Sequence, residues 1–158
     1  MGKKSGGDNM FNGEYSHSID SKGRITMPAK FREELGEECV VSRGFEGCLS
    51  VYPIQEWEKL TNFLMSASEF QKEIRLMRRA ILATAISCSY DKQGRILISN
   101  ELRSRGNLTK EVMIVGVGPK IELWDKETWE EFNDISDDDL SALAEGILNG
   151  NRSRDGGI

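Results

Sequence analysis

The hexapeptide Asp20-Ser21-Lys22-Gly23-Arg24-Ile25 returns as Asp91-Lys92-Gln93-Gly94-Arg95-Ile96, 71 residues later. The flanks follow it: Ser18 aligns with Ser89, Phe31 with Leu102 and Arg32 with Arg103. Further on the offset becomes 72, as a one-residue loop insertion would make it, and Tyr52 meets Trp124 while Trp57 meets Trp129. Rare aromatics in register at the far end make this a tandem repeat, and a repeat fixes the architecture before any other feature. The chain is two copies of one small unit, each presenting the same charged turn.

Each copy runs to about 70 residues, near the size below which a core alone supplies only about 3–5 kcal/mol. The copies are therefore expected to pack on each other or on other chains. Each reads as strand, turn, strand, short helix, then a strand pair and a second helix. In the first copy Tyr15 to Ile19 alternates as a strand, Asp20 to Gly23 turns, and Arg24 to Met27 returns. Pro28 suits the first turn of a helix over Ala29–Leu35, with Gly36 as its C-cap. Cys39–Arg43 and Cys48–Tyr52 are the closing strands, and Pro53 opens a helix around Glu56–Leu60. In the second copy Ser87–Tyr90 and Arg95–Ile98 flank the turn, and Ser99 takes the N-cap role before Glu101–Arg105. Val112–Val117 and Lys120–Trp124 are its strand pair, and Glu127–Phe132 the matching helix. Four short strands per copy are too few to close a sheet, so interleaving the two hairpins into one barrel would remove exposed edges.

Between the copies, Phe70, Ile74, Met77 and Ile81 recur at helical spacing, predicting one long helix over 69–85 with Lys72, Arg75 and Arg79 on another face. Ser136 and Asp137–Asp139 open a C-terminal helix with Leu140, Leu143 and Ile147 on one side. Asn149–Ile158 is Gly-rich and is expected to fray. Residues 1–9 lack an apolar segment and read as a disordered leader, with Met10 a possible natural start.

Chemistry has few candidates. His17 is the only histidine, and no phosphate-binding, dinucleotide or nucleophile-elbow motif appears. Cys39, Cys48 and Cys88 are odd in number, lack metal-like spacing and sit in apolar strands, which suits buried thiols in a reducing cytoplasm. No run approaches the roughly 18 apolar residues of a membrane span. The expectation is a protein that is not an enzyme and needs no cofactor or small-molecule substrate.

The net charge of −5 opposes a nucleic-acid partner only until it is divided. Residues 1–82 carry 12 Lys/Arg and 12 Asp/Glu; residues 83–158 carry 9 and 14, which is the whole excess. Around the first turn Lys22, Arg24, Lys30 and Arg32 face only Asp20, and local patches set the field that a phosphate backbone meets. The turn needs its Asp and Gly, but nothing in a turn needs an Arg directly afterwards. Arg24 and Arg95 would stand at hairpin roots beside Lys22 and Lys92. An Arg fork can take guanine O6 and N7 while lysines take phosphates. The Asp would fix the Arg rotamer. For either copy alone, the plain reading is a hairpin whose Arg pairs with its own Asp; the doubling favours a site.

The order of motifs, Phe11-x-Gly-Glu-Tyr, Ile19–Arg24, Pro28-Ala29-Lys30-Phe31-Arg32, Leu49-x-x-Tyr52-Pro53-x-x-Glu56-Trp57 and Glu122-Leu123-Trp124-Asp125-x-x-x-Trp129, resembles the MraZ family of bacterial transcriptional regulators across about Met10 to Gly146. The resemblance implies an α+β, mainly-β tandem repeat of two AbrB-like swapped-hairpin β-barrel modules, at 14–56 and 85–128. A connecting helical region (57–84), short helices and a C-terminal helical region (129–148) complete it. It implies a ring homo-oligomer, cytoplasmic and nucleoid-associated, that binds short G-containing direct repeats in double-stranded DNA. Those repeats lie upstream of its own cell-division and cell-wall operon, which it represses. The family's Asp-x-x-x-Arg signature falls on Asp20 with Arg24 and Asp91 with Arg95, with Gly23 and Gly94 shaping the turns. Ser99 departs from the Pro28 type, so the two turns are not expected to contribute equally, and the acidic second half favours Arg24. A protein-interaction module of the AbrB-like antidote type stays open beside this reading.

Overall fold

The computed structural model describes the backbone of residues 10–155 and the side chains of residues 10–150; the expected leader at 1–9 lies outside the described residues. One compact unit ends at Lys126, and a helical unit begins at Glu127.

In the first unit β1 (Phe11–Ser18), β2 (Arg24–Thr26), α1 (Ala29–Leu35), β3 (Glu38–Arg43), β4 (Leu49–Pro53) and α2 (Ile54–Ser66) come from the first copy. After α3 (Lys72–Leu82), the second copy supplies β5 (Ile86–Ser89), β6 (Arg95–Leu97), α4 (Asn100–Arg105), β7 (Glu111–Gly118) and β8 (Ile121–Asp125). A six-stranded sheet runs β1-β7-β8-β4-β3-β5, and β2 pairs with β6 as a separate two-stranded ribbon.

The copies exchange strands. β1 pairs antiparallel with β7, and β5 with β3, so each copy's first strand is completed by the other copy's third. Ile25 faces Ile96 in the ribbon, and Ser50 faces Glu122 where β4 meets β8; both are crossings of equivalent residues, which gives the unit an internal two-fold relationship. The turn after β1 thus closes locally but does not join two paired strands: β1 and β2 each find their ladder partner in the other copy. The offset also moves in more than one place. Met113 stands opposite Ser16 as Val40 does opposite Ser87, so β3 and β7 are displaced further than one inserted residue, and the β3–β4 and β7–β8 turns partly recover it.

Burial explains the exchange. Ile25, Met27, Phe31, Val41, Val51, Ile96, Ile98, Leu102, Ile114 and Leu123 form one core drawn from both copies. Phe31 receives Phe11 and Tyr15 edge-on, with ring centroids 5.8 and 5.2 Å apart, pinning α1 to β1. Cys39, Cys48 and Cys88 are buried free thiols, with Cys39 and Cys88 directly opposite each other on β3 and β5. Ser99 caps α4 as expected, accepting the Leu102 N–H at 3.3 Å, and Gly36 ends α1.

The long helix expected over 69–85 is shorter. The chain breaks at Ala67–Gln71, where Ser68 accepts from Gln71 and Phe70, and α3 starts only at Lys72. Phe70 leaves the packing stripe and is 90% exposed, whereas Ile74, Met77 and Ile81 keep it. Arg78, which no local pattern marked, folds its guanidinium over the end of α2, donating to the carbonyls of Leu64 and Ala67 at 2.7–3.1 Å. This satisfies carbonyls that a helix terminus leaves open.

The second unit holds most of α5 (Lys126–Phe132) and all of α6 (Asp137–Asp155). Ser136 accepts the Asp139 N–H at 3.1 Å as the expected N-cap. α6 continues into the segment expected to fray, as far as Asp155, and residues 156–158 lie outside the described residues. Leu140, Leu143 and Ile147 lie exposed on it.

Candidate nucleic-acid interface

The two turns are built alike. Asp20 accepts the backbone N–H groups of Lys22 (3.0 Å) and Arg24 (2.8 Å) on Oδ1, and the Arg24 Nε–H on Oδ2 at 2.6 Å. Asp91 accepts those of Gln93 and Arg95, both at 2.9 Å, and the Arg95 Nε–H at 2.7 Å. Each aspartate therefore shapes its turn with one oxygen and orients its arginine with the other. Arg24 is held through Nε alone, which leaves the outer edge of its guanidinium as a fork, whereas Arg95 also brings Nη1 to 3.9 Å from Asp20. The backbone N–H bonds, Arg24's foremost, hold the Asp20 carboxyl down at about 2, below the usual carboxylate range. Asp91 is lowered by the same arrangement around Arg95.

Gly23 and Gly94 complete the turns at φ +90° and +75°. They also link them: the Gly23 carbonyl accepts the Ile98 N–H (2.8 Å) and the Gly94 carbonyl the Met27 N–H (3.0 Å). A Cβ on Gly94 would run into the Arg32 guanidinium, and one on Gly23 into that of Arg103 and the Ile98 carbonyl oxygen. Arg32 and Arg103, aligned in the sequence, are thus each tucked under the other copy's turn, with Nε buried.

The ribbon orders these parts. Its inner face is Ile25 and Ile96, both fully buried. By strand alternation its outer face is Arg24 and Thr26 on β2 and Arg95 and Leu97 on β6, with Arg24 opposite Leu97 and Thr26 opposite Arg95. Arg24 and Arg95 side chains are 33% and 24% exposed. Lys22 and Lys92 are exposed at the turn tips. Of the ten residues expected at the site, the two Asp, two Gly, two Arg and two Lys come together here. Lys30 is exposed on α1 and donates to Asn12 instead, and Arg32 serves the packing beneath the Gly94 turn. Thr26, Leu97 and Arg103 were not singled out for the site. Period-2 alternation from Ile25 and Ile96 could have found the first two, and the Arg32 alignment the third.

The match to known proteins follows the same two-copy plan. The family model described as "MraZ protein, putative antitoxin-like" matches residues 10–80 and again residues 81–149. The chain belongs to the MraZ family. The transcriptional regulator MraZ of Caldanaerobacter subterraneus subsp. tengcongensis is 44% identical over 142 residues, covering 90% of this chain and 99% of that one. Those of Thermoanaerobacter sp. and Pediococcus pentosaceus are 43% and 42% identical, covering 86% and 88% of this chain and 95% and 97% of theirs. The doubled MraZ match agrees with the paired turns, since each match contributes one Asp-x-x-Gly-Arg turn and one strand of the ribbon. Among the described residues no group of His, Cys, Asp and Glu could hold a metal ion, and no helix is long and apolar enough to cross a membrane.

Proposed function

We propose that this chain is a sequence-specific DNA-binding regulator of transcription that lays the β2/β6 ribbon into the major groove. The observation that carries this is the ribbon's outer face, where two arginines stand with their rotamers already set by Asp20 and Asp91. The major groove is about 12 Å wide and admits a two-stranded ribbon, and guanine presents there the two acceptors that an Arg fork fits. Prior anchoring lowers the ordering cost of each contact. Lys22 and Lys92 take phosphates and position the ribbon. The three relatives, each a transcriptional regulator by name, support the same reading.

The finer reading is a repressor of its own cell-division and cell-wall operon, bound to short direct repeats as a ring of copies in the cytoplasm and on the nucleoid. Two readers per chain, multiplied by an oligomer, would let weak single contacts add through avidity. A mobility-shift titration on the DNA upstream of the gene, with one and then several repeats kept intact, tests it. Binding that grows steeply with repeat number is expected; indifference to the repeats would overturn the repeat reading.

A second reading, a protein-interaction module of the antidote type, draws on the exposed Leu140, Leu143 and Ile147 of α6 and on the family description. Stoichiometric co-purification of an unrelated protein, lost with Leu143→Glu, would favour it.

A further inference from the structure

The two arginines of the ribbon do not have the same neighbour. Position 26 of the first copy corresponds to position 97 of the second, but one is Thr and the other Leu. Antiparallel pairing puts Leu97 directly opposite Arg24 and Thr26 directly opposite Arg95. Such pairs hold their Cβ atoms about 4.5–5.5 Å apart, so each arginine has a different residue directly opposite it. Leu97 is 57% exposed, whereas Ile96 and Ile98 beside it are buried. More than half of Leu97 stays in water, so burial in the core does not account for an apolar residue at this position. On a face that meets base edges it has one apolar counterpart, because the C5-methyl of thymine is the apolar group exposed in the major groove.

We propose that Leu97 is a specificity-determining residue that packs on a thymine methyl next to the guanine taken by Arg24. This rests on the DNA-binding reading above and deepens it. Thr26 offers Arg95 a hydroxyl as well as a methyl, and a hydroxyl accepts several base edges, so the Arg95 side is the more tolerant reader. Each chain then reads its two contacts unequally, and thymine is demanded on the Leu97 side.

Replacing thymidine by deoxyuridine removes the methyl and leaves the base pair and its O4 acceptor in place. Competition titrations of promoter DNA carrying thymine or uracil would be run on the full chain and on Leu97→Ala and Thr26→Ala. The wild type is expected to prefer thymine by about fourfold per contact, the transfer value of one methyl-sized group. Leu97→Ala should lose that preference and keep its guanine preference, and Thr26→Ala should keep both. Equal binding of thymine and uracil DNA by the wild type overturns the inference, as does a preference that survives in Leu97→Ala. A changed oligomeric state in Leu97→Ala, read by light scattering, would also overturn it by giving Leu97 to a contact between copies. Absence of any promoter binding by the wild type would instead sink the DNA-binding reading itself.

Discussion

Arg95 of the second turn lies 3.9 Å from the carboxylate of Asp20 in the first, in addition to its own Asp91. The reciprocal pair, Arg24 with Asp91, is not formed among the described residues. Asp20 therefore touches both turn arginines, and Asp91 touches one.

That asymmetry separates the two aspartates in a binding assay. Asp20→Ala frees Arg24 and strips Arg95 of its second carboxylate, leaving Arg95 held by Asp91 alone, and is expected to weaken promoter binding about tenfold. Asp91→Ala should weaken it about threefold, since a single charge-assisted contact is freed. Fluorescence anisotropy on a labelled promoter duplex measures both; equal losses would contradict the shared role of Asp20.

The pH dependence follows from the same carboxylate. Its folded-state value, about 2, lies below its ordinary one. Its stabilisation is therefore fully present above the ordinary carboxylate range, and is lost as pH falls through that range towards about 2. Asp20→Asn should lower the melting temperature by a constant amount above about pH 5, and the gap should close on acidification. A gap that widens as pH falls would reverse the sign of the argument.

The glycines predict a contrast in rescue. Gly94→Ala is expected to destabilise by about 1–3 kcal/mol from positive φ and the Arg32 contact together. Arg32→Ala in the same chain should recover part of this, because the nearest obstructing atoms belong to that flexible side chain. Gly23→Ala should resist rescue by Arg103→Ala, since the Ile98 carbonyl oxygen remains 2.7 Å from the added carbon. Urea unfolding of the four single and two double variants checks both cycles.

The inner face of the ribbon makes a plainer test. Ile25→Ala and Ile96→Ala each open the centre of a fully buried crossing, and each should cost about 2–5 kcal/mol. Their two-fold relationship makes similar losses the expected result in thermal melts, and a loss at one position alone would contradict it.

Much of this was legible in the chain because the turns carry their own instructions. Asp20 and Gly23 are demanded by local hydrogen bonding and positive φ, so their position and form follow from composition at five residues. The helix caps at Ser99 and Ser136 are local in the same sense. Strand partnership is not local. Nothing near Ser16 says that it will face Met113, and only burial of one shared core decides between pairing within a copy and pairing across copies. The break before Lys72 was hidden because Phe70 fits a helical stripe by spacing yet ends up in solvent, while Ser68 takes the hydrogen bonds that would have continued the helix. Leu97 stayed unnoticed because an apolar residue in a short strand reads as core; only the ribbon's two faces reveal that it points outward.

The central claim is that Arg24 reads bases and Lys22 reads only phosphate. The most direct test is the ratio of affinities for promoter and scrambled duplex, measured at one fixed salt concentration for wild type, Arg24→Ala and Lys22→Ala. Arg24→Ala is expected to lose about 1–3 kcal/mol on promoter DNA and little on scrambled DNA, collapsing the ratio, while Lys22→Ala weakens both alike and preserves it. An unchanged ratio in Arg24→Ala would contradict the account.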